Sequence, residues 1–178
     1  MYNVSLRYVF NNRIQQEVEN DEQLVAFEDE TNYLSLDASI AKYTRLSDSW
    51  TLETSGYGRI ATGNTILDSY RVGGPRQTKA YTYGFSGIND AGLLVGNHIY
   101  GKAAIRWQFM PSLYLSPNVQ YLIGERYNLD SIENIQTYGV GLDLGYNSPI
   151  GPVSLSLGYA DSFDRLEVNF GLGYRHIL

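Results

Sequence analysis

The 178-residue sequence has no cysteine, which excludes a disulfide framework, a thiolate metal site and a cysteine nucleophile. Proline is scarce, at 5 residues. Apolar runs such as Leu93-Leu94-Val95 fall far below the roughly 20 residues that a membrane-spanning helix needs. Met1 is not followed by a basic segment and an apolar stretch, so no signal peptide is expected. Positive charge is not in excess either: the net charge of -6 argues against a nucleic-acid partner. A mean hydropathy of -0.26 is that of a water-soluble chain. That average is a poor guide for barrel strands, which turn only every second residue to lipid.

What the sequence does have is tyrosine, at 16 residues, and glycine, at 18. Rings with a polar tip, together with small residues and little proline, suit a sheet protein with aromatics at a wet boundary. The dominant period is two. Val168, Phe170, Leu172, Tyr174, His176 and Leu178 share one phase, against Asn169, Gly171, Gly173 and Arg175. Val153, Leu155, Leu157 and Tyr159 alternate with Ser154, Ser156, Gly158 and Ala160. Tyr138, Val140, Leu142, Leu144 and Tyr146 alternate with Gly139, Gly141, Asp143 and Gly145. Similar patterns cover residues 113–123, 93–109, 50–60, 34–40 and 4–11, and predict about eight strands. Within 93–109, Leu93, Val95, Ile99, Ala103, Ile105, Trp107 and Phe109 are assigned one face, and His98, Lys102, Arg106 and Gln108 the other.

Connections alternate in length. Short turns are expected at 47–49, 110–112 and 148–151, and longer links at 12–32, 62–92 and 125–134; the last hairpin, near 162–165, is short. Brief turns on one side and long loops on the other mark outer-membrane barrels, and place both termini on the periplasmic side. A soluble barrel also alternates, but it turns its apolar face inward. Here the face opposite the apolar one carries Arg7, Glu53, Arg59, Lys102 and Arg106, too much charge for a packed core. Tyr138 and Tyr146 bracket an apolar stretch about 25 Å long at roughly 3.3 Å per residue, a separation suited to two interfacial girdles. The expected fold is therefore all-β: an antiparallel transmembrane β-barrel forming a single domain over 1–178.

Residues 138–160, and above all Ser148-Pro149-Ile150-Gly151-Pro152 followed by alternating Val153, Leu155 and Leu157, resemble the penultimate hairpin of the bacterial surface antigen superfamily. These are the barrels of outer-membrane assembly and translocation proteins. Arg71-Val72-Gly73-Gly74-Pro75-Arg76 is similar to the Gly-Gly element that precedes an arginine in that family's extracellular loop, which folds back into the lumen. Five strands follow that loop in the family, and five are expected to follow it here. The chain looks most like the membrane domain behind a patatin-like phospholipase domain in Bacteroidetes. It departs from the family pattern where Arg76 is followed by Gln77-Thr78, and where the final residue is Leu178 rather than an aromatic.

The resemblance implies the last eight strands of a sixteen-stranded barrel, and hence a fragment of a larger protein in the bacterial outer membrane. Its implied role is to anchor a patatin-like hydrolase or to support protein translocation and assembly. The alternative is a self-contained eight-stranded lipid-modifying or lipid-binding protein. The implied site residues are Gly73, Gly74, Arg76 and Asp143 in the lumen, Pro149, Gly151 and Pro152 at the periplasmic turn, and Tyr174, His176 and Leu178 as a C-terminal insertion signal. An Arg76–Asp143 bond would contribute about 1.5–3 kcal/mol; Asp143 could equally pair with Lys102 or Arg106. The expected partners are outer-membrane lipids and the barrel-insertion machinery; because exposed edges are costly in lipid, a second copy pairing edge to edge is one way to complete the ring.

No catalytic motif is expected in this chain. Gly84-Phe85-Ser86-Gly87 lacks the spacing of a nucleophile elbow. His98 falls on the lumen face and His176 on the lipid face, neither in reach of a plausible partner. No cofactor or metal is expected, and the acidic stretch from Glu17 to Glu30 reads as a solvated loop.

Overall fold

The computed structural model describes residues 2–9, 33–62, 69–74, 82–89, 92–128, 131–149 and 151–172. Among them there is no α-helix. The strands are β1 (Tyr2–Val9), β2 (Tyr33–Arg45), β3 (Trp50–Ala61), β4 (Tyr70–Val72), β5 (Thr82–Tyr83), β6 (Leu93–Met110), β7 (Leu113–Tyr127), β8 (Ile132–Ser148), β9 (Gly151–Ala160) and β10 (Arg165–Leu172). Eight of them form a meander in the order β1-β2-β3-β6-β7-β8-β9-β10. Every neighbouring pair along it is antiparallel. The short β4 and β5 lie off this path, within the link between β3 and β6, where β4 pairs with both β5 and β6.

The eight long strands coincide with the period-two segments of the sequence. Cross-strand register then aligns their apolar residues into rows. Trp50 faces Trp107, which faces Leu115, Leu144, Leu155 and Phe170 in turn across six strands. The two indoles of this row stack at 5.5 Å. On the opposite side, Asp37 faces Arg59, which faces His98 and then Gly124. Register of this kind is strongly fixed, because a one-residue slip would exchange the two faces.

The polarity of the sheet is inverted relative to a soluble one. Arg59 and His98 are each only 3% exposed, whereas Ile99 is 64%, Ile60 68% and Phe170 69% exposed. Exposed apolar side chains stand on every long strand from β2 to β10. Ser35, Asp37, Ser116, Asn118, Gln120, Thr137 and Ser156 are buried on the other face. Along β8 the outward residues run Tyr146, Leu144, Leu142, Val140, Tyr138, and then become the exposed Gln136 and Asn134. The apolar band thus ends at Tyr138, although the strand continues.

Two expectations need correction. The link placed at 125–134 is only 128–131, because β7 and β8 pair as far as Tyr127 and Ile132. Leu93 and Val95 do not share a face with Ile99: both are buried, at 1% and 0%. A register irregularity between Val95 and His98 inserts one residue and inverts the phase of the strand beyond it. Among the described residues the fold is all-β, and its antiparallel sheet is open, with β1 at one edge and β10 at the other.

Candidate functional site

The polar face of the sheet is occupied by the chain's own β3–β6 link. Gly73 and Gly74 start the return of the chain, with φ of 138° and 78° that suit glycine. Their amides donate to the carbonyls of Tyr83 and Ile88, at 3.0 and 2.7 Å, and the Gly74 carbonyl accepts from Phe85 N at 2.8 Å. This pins 73–74 against 83–88 and presents residues 83–87 to the sheet.

The seat is built from amides, glycines and rings. Ser86 N donates to Gln120 Oε1 at 3.1 Å, its hydroxyl to Asn118 Oδ1 at 3.0 Å, and Gln120 Nε2 donates back to that hydroxyl at 3.0 Å. Phe85 is fully buried beside Tyr100 and Gly139. A Cβ at Gly139 would lie 2.6 Å from the Phe85 ring, and one at Gly141 2.8 Å from Ser86 Cβ. One at Gly158 would collide with the Gly87 amide. The inward glycines of β8 and β9 therefore leave a groove the width of a backbone. Tyr83 stacks on Tyr70 at 4.8 Å and meets Tyr57 at 4.4 Å, while the Tyr100 hydroxyl donates to the Gly84 carbonyl at 3.0 Å.

Toward β2, the link is held by charge. The Tyr70 hydroxyl donates to Asp37 Oδ1 at 2.9 Å, and Arg59 lies 3.9 Å from the same oxygen and 5.4 Å above the Tyr70 ring. His98 directs Nδ1 at the Gly96 carbonyl, 2.7 Å away, and packs edge-on against Tyr70. It is sealed from the apolar face, as its place in the strand predicts. Removing one partner of a buried pair such as Asp37–Arg59 leaves an uncompensated charge, so these residues specify how the link docks rather than adding free stability.

Below the link tip, on the side of the short turns, lies a cavity of about 360 Å³. Glu53 there forms ion pairs with Lys102 at 3.5 Å and with Arg106 at 3.7 Å, and Arg106 sits 5.0 Å above the Tyr114 ring. Asp143 belongs to its lining and accepts from Asn118 Nδ2 at 3.1 Å. Neither Lys102 nor Arg106 is its partner, contrary to one of the two pairings considered for it. Arg76 lies outside the described residues, as do Tyr174, His176 and Leu178 and the acidic stretch 17–30. Pro149 stands in the β8–β9 turn, and Gly151 and Pro152 open β9 opposite Ser148 and Asn147. Gly151 has φ of 123°, and its carbonyl accepts from the Ser148 hydroxyl. Ser86, in the string considered as a nucleophile elbow, has its hydroxyl held between two amide side chains.

Sequence reasoning puts Tyr57 on the polar face with Glu53 and Arg59, but it assigns neither Tyr57 nor Tyr70, Tyr83 and Tyr100 to the packing of the link. The available signal was parity: Tyr57 shares the phase of Glu53 and Arg59, and Tyr100 that of His98 and Lys102. Comparison of the chain with known protein families, with characterised proteins and with solved structures finds no match.

Proposed function

We propose that the chain is the membrane-embedded wall of a bacterial outer-membrane β-barrel, and specifically one half of a larger ring. The observation that carries this reading is the inverted sheet, with apolar rows exposed across six strands and charges buried beneath the link. In water, an antiparallel sheet keeps its apolar face covered. An exposed apolar face this extensive marks contact with lipid or a partner. Between β strands in lipid all backbone groups must pair, which makes the open edges at β1 and β10 untenable without further strands. Eight strands closed on themselves have an interior that side chains alone fill. Residues 70–74 and 82–89 already lie on the polar face, and this favours the larger ring over a self-contained eight-stranded protein.

The missing strands come from the rest of a longer protein or from a second copy. The resemblance to the bacterial surface antigen superfamily supports a role in anchoring a patatin-like hydrolase or in moving and assembling proteins across the outer membrane. Any hydrolytic chemistry then belongs to another domain, and the partners of this one are outer-membrane lipids and the barrel-insertion machinery. The test is the refolded chain's mass and strand content with and without detergent. We expect it to require detergent and, alone, to run as a paired assembly; a monodisperse monomer in plain buffer overturns the proposal.

A further inference from the structure

We infer that the cavity beneath the link tip is a binding site for a neutral, polyhydroxylated ligand of mono- or disaccharide size. Its volume of about 360 Å³ lies at the small end of the roughly 300–1,000 Å³ typical of small-molecule sites. It is roofed by Tyr83 and Gly84 and walled by β2, β3, β6, β7 and β8. Tyr100, beside the roof, spends its hydroxyl on the Gly84 carbonyl, which fixes the roof in place.

The lining decides the class of ligand. It presents two cations, Lys102 and Arg106, and two carboxylates, Glu53 and Asp143. The signs cancel, so an anion meets Glu53 and Asp143 as repulsion, and a cation meets Lys102 and Arg106. An apolar ligand would strip water from four charged groups with no replacement hydrogen bonds, which is costly. A sugar avoids each penalty, because every hydroxyl both donates and accepts. It can donate to the carboxylates and accept from the cations at once. Lys102 and Arg106 approach Glu53 only to 3.5 and 3.7 Å, long for charge-assisted bonds, so both retain donors that a ligand can use. The Arg106 side chain is 46% exposed. Serine hydroxyls from Ser55 and Ser116 and the rings of Tyr43 and Tyr57 complete the wall, giving apolar C–H surface beside polar groups.

The site is made by this chain's own strands and link, so it does not depend on whether the outer face meets lipid. Saturation-transfer NMR on the folded full-length chain tests it, with glucose and maltose as probes and acetate and ethylammonium as charged controls. A zwitterionic detergent is used, because sugar-headed detergents would compete. We expect transfer to the sugars and not to the controls, and at least a tenfold weaker apparent affinity in Arg106→Gln and in Glu53→Gln. Arg106→Gln alters a partly exposed side chain and is expected to fold, with heat-dependent gel mobility as the check. Absence of transfer to either sugar, equal binding by the variants, or preference for either charged control overturns the inference.

Discussion

Leu142→Arg is expected to cost about 2–4 kcal/mol of folded-state stability in a bilayer, the depth-dependent penalty for arginine at the lipid midplane. On a water-soluble protein arginine would be well tolerated there, since Leu142 is 38% exposed. The site is chosen for its position. Leu142 faces Pro117 on one side and Leu157 on the other, and lies midway between Tyr138 and Tyr146, which end the apolar stretch of β8. Arginine there has no short path to either interface. Urea unfolding of the refolded chain in thin phosphatidylcholine vesicles measures the cost, with Trp50 and Trp107 as fluorescent reporters. Gln136→Arg, two steps beyond Tyr138 on the same face, is the matched control and should cost no more than about 1 kcal/mol. Equal and negligible costs at both positions would contradict the membrane reading.

Phe85→Ala is expected to destabilise the chain by about 3–5 kcal/mol, the range for deleting a fully buried phenylalanine. Phe85 is the apolar anchor of the link, with no exposed surface, and it packs into the space left open at Gly139. Phe85 belongs to one buried cluster with Tyr100, Ile88 and Leu122, so little can relax into the cavity created. The expected signature is twofold: a lower denaturation midpoint, and faster proteolysis within the link while the long strands remain protected. Gly158→Val should reproduce the proteolysis by another route, since its side chain takes the place of the Gly87 amide. Both variants unchanged would mean that the link is not seated on the sheet in solution.

Much of this architecture was legible in the sequence, for a definite reason. A strand pair with one apolar and one polar face writes its geometry directly into residue parity, and all eight long strands appear in the period-two pattern. Parity also indicates which charges are hidden: Arg59 and His98 share one row because their phases and registers agree. Parity fails wherever the count of residues changes. The irregularity between Val95 and His98 moves Leu93 and Val95 to the inner face, and nothing in the local sequence apart from Gly96 marks it. That glycine has its own tertiary reason, because the Tyr127 ring occupies the space a Cβ would need.

The link was legible only in part. Gly73 and Gly74 announce a turn, but β4 and β5 are three and two residues long. At that length no period exists, and pairing is decided by the sheet they meet. The seat itself is non-local. Gly139, Gly141 and Gly158 look in sequence like small residues on a polar face, and their purpose emerges only when Phe85, Ser86 and Gly87 arrive from some fifty to seventy positions earlier. The same holds for the tyrosines. A ring with a hydroxyl suits a membrane interface and a buried hydrogen bond equally well, so composition could not divide the exposed Tyr121, Tyr138 and Tyr146 from the buried Tyr70, Tyr83 and Tyr100.

The central claim is that one face of the sheet meets lipid while the other encloses polar groups. Since the native chain has no cysteine, single cysteines report on each face without background. The most direct measurement places an environment-sensitive fluorophore at Phe170→Cys or at Asn169→Cys, adjacent in β10 but on opposite faces, in vesicles containing brominated lipid. The account predicts strong quenching and a blue-shifted emission at 170, and weak quenching at 169. Equal, water-like emission at both positions, unquenched by the lipid, would contradict it.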